Sequence, residues 1–152
     1  MISYVQAKLG DIENMQKLVE PEVKSGIILA RDSDEIATNI RSYILAKLDN
    51  KLVGFGALHF HTDKLGEVRS LVVSLDMRGR GIGKNIVKKT MQSAKELGSK
   101  QIFTLTYQKE FFESLGFKEI PKEELPAQKI WADCIKCKFF PVCNEIALIR
   151  TI

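Results

Sequence analysis

The apolar positions of this chain alternate between two periods, and the changes of period mark its elements. Residues 1–7 alternate enough for a first strand, with Ile2, Tyr4 and Val5 as inward candidates. Gly10-Asp11 breaks that pattern and offers a helix cap, after which Ile12, Met15, Leu18 and Val19 recur at helical spacing up to Pro21, which is expected to limit the helix. Residues 26–30 are a short apolar stretch ending at Arg31. Asp32-Ser33-Asp34 is a second cap cluster, and Ile36, Ile40 and Ile44 follow at helical spacing. Residues 43–48 and 52–60 read as strands joined by the turn Asp49-Asn50-Lys51. Gly54 and Gly56 inside the second strand predict a bulge or the close approach of another backbone. Residues 62–66 are a turn and 67–75 a further strand, so 43–75 reads as an antiparallel meander.

A long helix follows, with Ile82, Ile86, Val87, Met91, Ala94 and Leu97 on one face and Gly98 placed to end it. Residues 102–106 alternate as a strand. Phe111, Phe112 and Leu115 mark a short helix stopped by Gly116, residues 117–120 start another strand, and 146–152 close the chain as a last one. Pro121 and Pro126 mark a loop between them, and no internal repeat or linker interrupts the series.

Composition adds bounds rather than detail. A chain of 152 residues with 45% hydrophobic and 28% charged residues is expected to fold as a single domain, 1–152. In it, 121–152 is a cysteine-containing extension that completes the sheet. A net charge of +4 suits an anionic ligand but falls short of the basicity of a nucleic-acid binder. No apolar run reaches bilayer length, and the first residues lack the basic and apolar regions of a signal peptide, so a cytoplasmic location with no membrane partner is expected. Three cysteines, all late in the sequence, do not form a secreted disulfide framework. Cys134-x-x-Cys137 with Cys143 has part of a zinc pattern, but packed reduced thiols are the favoured reading and no metal is assigned.

The chemistry concentrates between Glu67 and Leu97. Arg78-Gly79-Arg80-Gly81-Ile82-Gly83-Lys84 joins a strand to a helix. Alternate glycines leave backbone N–H groups able to close on an anion, and the helix aims its positive end at the same spot. A nucleotide P-loop would need Ser or Thr after the lysine, and Asn85 stands there. A dinucleotide fingerprint would need a Gly-x-Gly-x-x-Gly spacing within a βαβ unit, which is absent. The pattern Gln/Arg-x-x-Gly-x-Gly/Ala fits at every position from Arg78 to Gly83.

On that turn, on Val68-Arg69-Ser70-Leu71-Val72-Val73 before it and on Phe111-Phe112-Glu113-Ser114-Leu115-Gly116-Phe117 after it, the chain resembles the GNAT family of acetyl-CoA-dependent N-acetyltransferases over residues 1 to about 120. The resemblance implies an α/β (α+β) GNAT fold: a mixed, mostly antiparallel sheet of six to seven strands flanked by four helices. It implies acetyl-CoA as cosubstrate, its pyrophosphate held by Arg78, Gly79, Arg80, Gly81, Ile82, Gly83 and Lys84. Leu71, Val72 and Val73 would run beside the pantetheine arm and aim an N–H at the thioester carbonyl, where a tetrahedral intermediate forms. Glu67 is the candidate base that neutralises the attacking amine, with pairing to Arg69 as its plainer alternative. Many family members carry a Tyr where Phe112 stands. Tyr107 or water would then protonate the leaving thiolate, unless Tyr107 only packs at its strand end.

The tail around Gln128-Lys129-Ile130-Trp131 and Cys143-Asn144-Glu145, with Gly26 to Arg31, resembles the short single-domain amino-acid N-acetyltransferases of the N-acetylglutamate synthase type. That resemblance implies an L-glutamate acceptor and a place in arginine biosynthesis. Arg31 and Lys129 would bind the acceptor carboxylates, while a further arginine of the synthases falls at Cys143. Another small amine, a protein N-terminus or a non-catalytic coenzyme A-binding role are the alternatives. A homodimer is a family habit. His59 and His61 share a strand face and are read as packing or lining the acceptor cleft rather than binding metal.

Overall fold

The computed structural model describes residues 1–26, 28, 30–125 and 145–152. Lys129, Cys134, Cys137 and Cys143 lie outside these described residues, as does most of the tail that carries the resemblance to the synthases. Among the described residues, seven strands form one sheet: β1 (Ile2–Gln6), β2 (Tyr43–Leu48), β3 (Lys51–Phe60), β4 (Leu65–Val73), β5 (Gln101–Thr106), β6 (Lys118–Ile120) and β7 (Ile146–Thr151). Their order across the sheet is β1-β2-β3-β4-β5-β7-β6. Every neighbouring pair is antiparallel except β4 with β5.

The helices divide between the two faces. On one face α1 (Ile12–Lys24) and α2 (Ser33–Thr38) cover Tyr43, Leu45, Phe55, Ala57 and Val72. On the other, α3 (Ile82–Glu96) and α4 (Lys109–Ser114) pack on Leu58, Val68, Ile102 and Leu148. Helix α3 lies very near the sheet because β3 has a glycine beneath it. A Cβ built on Gly56 would stand 2.8 Å from Ile86 Cγ2. The predicted bulge is present, interrupting the register of β3 with both neighbours, while the close approach at Gly56 is made by a side chain of α3 rather than by another backbone.

The meander follows its turn chemistry. Asp49 and Asn50 both take positive φ, 49° and 68°, as a two-residue hairpin turn of the twist-matched type requires. Three expectations are corrected. Pro21 does not end α1, which continues to Lys24. A proline so near the helix C-terminus removes one backbone bond, and Ser25 N–H still closes on the Pro21 carbonyl at 3.1 Å. Ile44 belongs to β2, since a single turn over Ile40–Ser42 ends the helical region first. Leu97 is 73% exposed, because it caps α3 just before Gly98 turns the chain at φ +96°.

Candidate active site

The site begins where the sheet stops being continuous. Strand β4 pairs with β3 along nearly its full length, from Gly66 to Val73. With β5 it pairs only at Leu65–Gln101, Gly66–Ile102 and Glu67–Phe103. Past Glu67 the parallel strands part. The buried Thr104 hydroxyl marks the fork, donating to the Val68 carbonyl at 3.0 Å and so satisfying the first carbonyl beyond the ladder. The space between the strands is a cleft of about 610 Å³, in the range of small-molecule and cofactor sites. One wall is Glu67 to Val73, and the other is Thr104 to Gln108 with Phe111 and Phe112.

A second irregularity sets what the first wall presents. Ser70 has φ +56°. Opposite it the register jumps, from Ala57–Arg69 to Phe55–Val72, so β4 carries one extra residue. As a result Val68 and Leu71, three apart, both pack toward α3, while Val72 packs toward α1. Glu67 and Arg69 precede the bulge and share the α1 face, as their spacing predicts.

At the far end the cleft reaches the glycine turn. Gly79 and Gly81 take φ +80° and +81°, which only glycine adopts without strain, and the space beside each is open. Gly81 is the N-cap of α3, so the free N–H groups of the first turn open into the cleft beside Ile82, Gly83 and Lys84. The arrangement suits a diphosphate: bare N–H groups, a positive helix end and no side chain in the way. Leu71, Val72, Val73, Arg78, Gly79, Gly81, Ile82, Gly83 and Lys84 all line this cleft. Arg80 is exposed and is not part of the lining. The Arg78 guanidinium is held by two protein groups: Nε donates to the Val73 carbonyl at 3.0 Å and Nη2 to Glu22 Oε1 at 2.7 Å.

The other end collects charge. Glu67 is 1% exposed, and its Oε1 lies 2.7 Å from His61 Nε2. The His61 ring rests against Phe103, with centroids 5.4 Å apart. Arg31 also lines the cleft, reached from the loop before α2, where its Nη1 pairs with Glu35 Oε2 in the first turn of that helix. Asp32, not Arg31, is the helix cap, accepting from Glu35 N–H at 2.8 Å. Arg69 lines the same end. Burial pushes the Tyr43 phenol above its usual pKa, the positive charges of Arg31 and Arg69 oppose that rise, and the Glu35 carboxylate adds to it. A smaller chamber of about 170 Å³ shares Ile28, Arg31 and Ser70 with the cleft, and Met15, Val19 and Phe55 are among its other lining residues.

Of the expected site residues, Glu67 and Arg31 meet in the cleft with the coenzyme-side group, and Tyr107 stands on its β5 wall, 37% exposed. Phe112 is 2% exposed and stacks edge-on against Phe111 and Phe117, so it has a packing role. Sequence reading missed the His61–Glu67 pair and the presence of Arg69 with Arg31 in the cleft lining. The shared strand face of His59, His61 and Glu67 was the signal for the first, whereas the second depends on a loop that no periodicity describes.

Comparison with known proteins agrees with the cleft. Residues 11–117 match the model of the acetyltransferase (GNAT) family. An uncharacterized N-acetyltransferase of Chlorobaculum tepidum is 38% identical over 146 residues, 96% of this chain and 94% of that one. An amino-acid acetyltransferase of Mycobacterium tuberculosis is 32% identical over 126 residues, covering 81% and 72%. Among solved structures, N-acetylglutamate synthase from Neisseria gonorrhoeae, complexed with coenzyme A and N-acetyl-glutamate, superposes with a TM-score of 0.89 at 26% identity. That match covers 99% of this chain and 35% of the synthase, so the chain spans about a third of that protein. A Mycobacterium tuberculosis protein in complex with CoA superposes at 0.85 with 26% identity, over 99% of both chains. A sheet that forks beside a glycine turn, in a chain matched from residue 11 to 117, belongs to a GNAT acetyltransferase, and acetyl-CoA is its cosubstrate.

Proposed function

We propose that the protein transfers an acetyl group to the α-amine of an amino acid, with L-glutamate as the preferred acceptor. The observation that carries this reading is the company of Glu67 in the cleft: a buried carboxylate with Arg31 and Arg69 lining the same end. An amino-acid acceptor needs a base for its ammonium group and a cation for its carboxylate, and glutamate needs two cations. The likeness to amino-acid acetyltransferases and to an N-acetylglutamate synthase supports the same class.

When bound, acetyl-CoA supplies an activated acetyl thioester. N–H groups from Gly79 to Lys84 hold its diphosphate, and the open flank of Leu71 to Val73 hydrogen-bonds the pantetheine arm. An N–H of Leu71 or Val73 donates to the acetyl oxygen as negative charge develops there. Glu67 accepts the proton from the acceptor ammonium, and the neutral amine attacks the acetyl carbon. Tyr107 or water returns a proton to the thiolate. Arg31 holds one acceptor carboxylate. Arg69, or Lys129 from the tail, holds the other.

A thiol-release assay across the amino acids, a polyamine and a peptide N-terminus tests this. L-Glutamate should give the highest kcat/KM, and Arg31→Ala should raise the KM for glutamate while leaving that for acetyl-CoA unchanged. Equal turnover of acceptors without a carboxylate would sink the amino-acid assignment.

A further inference from the structure

The carboxylate of Glu67 sits where a base should not readily survive. A carboxylate sealed from water is destabilised as an anion unless donors face it. Its surroundings are specific. On β3, His59 is its cross-strand partner. On β5 the partner is Phe103, which carries no charge. Arg69 lies two residues along β4 on the same face. His61, just past the end of β3, closes on Oε1 at 2.7 Å with its own side chain 8% exposed.

We propose that His61 is a positioning residue for the base: its Nε2–H donates to Glu67 Oε1 and fixes the carboxylate toward the acceptor amine. This deepens the assignment of Glu67 as base and rests on it. The proton assignment follows from chemistry. A base ready to accept a proton is ionised, so the hydrogen between Oε1 and Nε2 sits on nitrogen. The residue is fixed in turn. Phe103 packs against the ring, and the backbone N–H of His61 donates to the Leu65 carbonyl at 3.0 Å, which closes the turn from β3 to β4. The turn that makes the hairpin thus also sets the imidazole against the carboxylate. During transfer the acceptor ammonium loses its proton to the Glu67 carboxylate, which becomes the neutral acid. His61 keeps its own proton throughout, and the acid later returns the transferred proton to solvent.

The test compares His61→Leu, His61→Gln and Glu67→Gln, with acetyl-CoA and L-glutamate as the assay pair and coenzyme A binding as the check on folding. His61→Leu, which has no donor, should lower kcat about 10–100-fold, a part of what a general base supplies. It should also move the acid limb of the rate profile to higher pH and leave coenzyme A affinity unchanged. His61→Gln, which restores an N–H, should recover most of the rate. Independently of turnover, ring-nitrogen NMR of the wild type should show the His61 proton on Nε2, perturbed in Glu67→Gln. An impaired Glu67→Gln beside a His61→Leu of wild-type rate and profile would overturn the proposal and leave Glu67 as base. A fully active Glu67→Gln would overturn the base assignment itself, and a proton on Nδ1 alone would overturn the proposed donor.

Discussion

Strand β4 has two flanks, and they do opposite work. Toward β3 it is paired from Gly66 to Val73, and that flank is scaffold. Toward β5 it is paired at three positions and then left open, and that flank forms a wall of the cleft. The same residues therefore belong to a sheet on one side and to a site on the other. An open strand edge is normally a liability. Here it lines a cleft, and in the proposed function the amide groups of the pantetheine arm take the place of the missing ladder bonds. The paired flank holds Glu67 and the bulge in place, while the open flank and the glycine turn present backbone N–H groups.

The sharpest way to separate chemistry from scaffold is to remove the base at the last rung before the fork without touching the ladder. Glu67→Gln keeps size and hydrogen bonding, so thermal stability should change little while kcat falls about 10²–10⁴-fold in the thiol-release assay. Thr104→Val attacks the fork. It leaves the Val68 carbonyl buried without its donor, and unfolding in urea should show a loss of about 1–3 kcal/mol. On the paired flank, Gly56→Ala forces a methyl group against Ile86, which is fully buried. Overpacking of this kind should cost about 1–3 kcal/mol and displace α3, seen as a lower Tm together with a higher KM for acetyl-CoA. Gly81→Ala strains a backbone at φ +81° with open space around it, so it should cost only about 1 kcal/mol and weaken coenzyme A binding several-fold by calorimetry.

The smallest effect should come from the turn before α1, away from the fork. Asp11 is partly buried, which alone would raise its pKa, but bonds from Lys47 Nζ and the Lys8 N–H at 2.9 and 2.8 Å outweigh this and hold it below its usual value. A depressed carboxylate stabilises the fold above its unfolded pKa, and that contribution disappears as pH falls through the folded one. Asp11→Asn should therefore lower stability by less than about 1 kcal/mol at neutral pH, approach wild type as pH falls below the ordinary aspartate pKa and through the depressed folded one, and leave activity unchanged.

The two flanks were not equally readable from sequence. The meander could be read because Asp49-Asn50 prescribes a tight turn and the strands on either side have strand composition. The glycine turn could be read because its backbone demands leave a mark in residue type. The fork could not. Nothing in Val68 or Thr104 announces that pairing stops between them, since that depends on two strands 36 residues apart. The bulge at Ser70 was equally hidden, because positive φ at a serine carries no compositional mark. On the acceptor side, Arg31 could be named from resemblance, but the place of Arg69 in the same cleft and the reach of His61 to Glu67 are products of tertiary packing.

The extra residue at Ser70 also sets what this strand can tolerate. A side chain on either side of it can be exchanged and judged locally, by volume and polarity. A change of length cannot. Deleting Ser70 would put Leu71, Val72 and Val73 out of phase at once, turning toward α1 what now rests on α3, and no single substitution downstream could restore it. Relatives that lack the added residue must bring their coenzyme-side strand into phase by some other device. Grafting this stretch onto another acetyltransferase should succeed only when the insertion and the glycine facing it on β3 travel together.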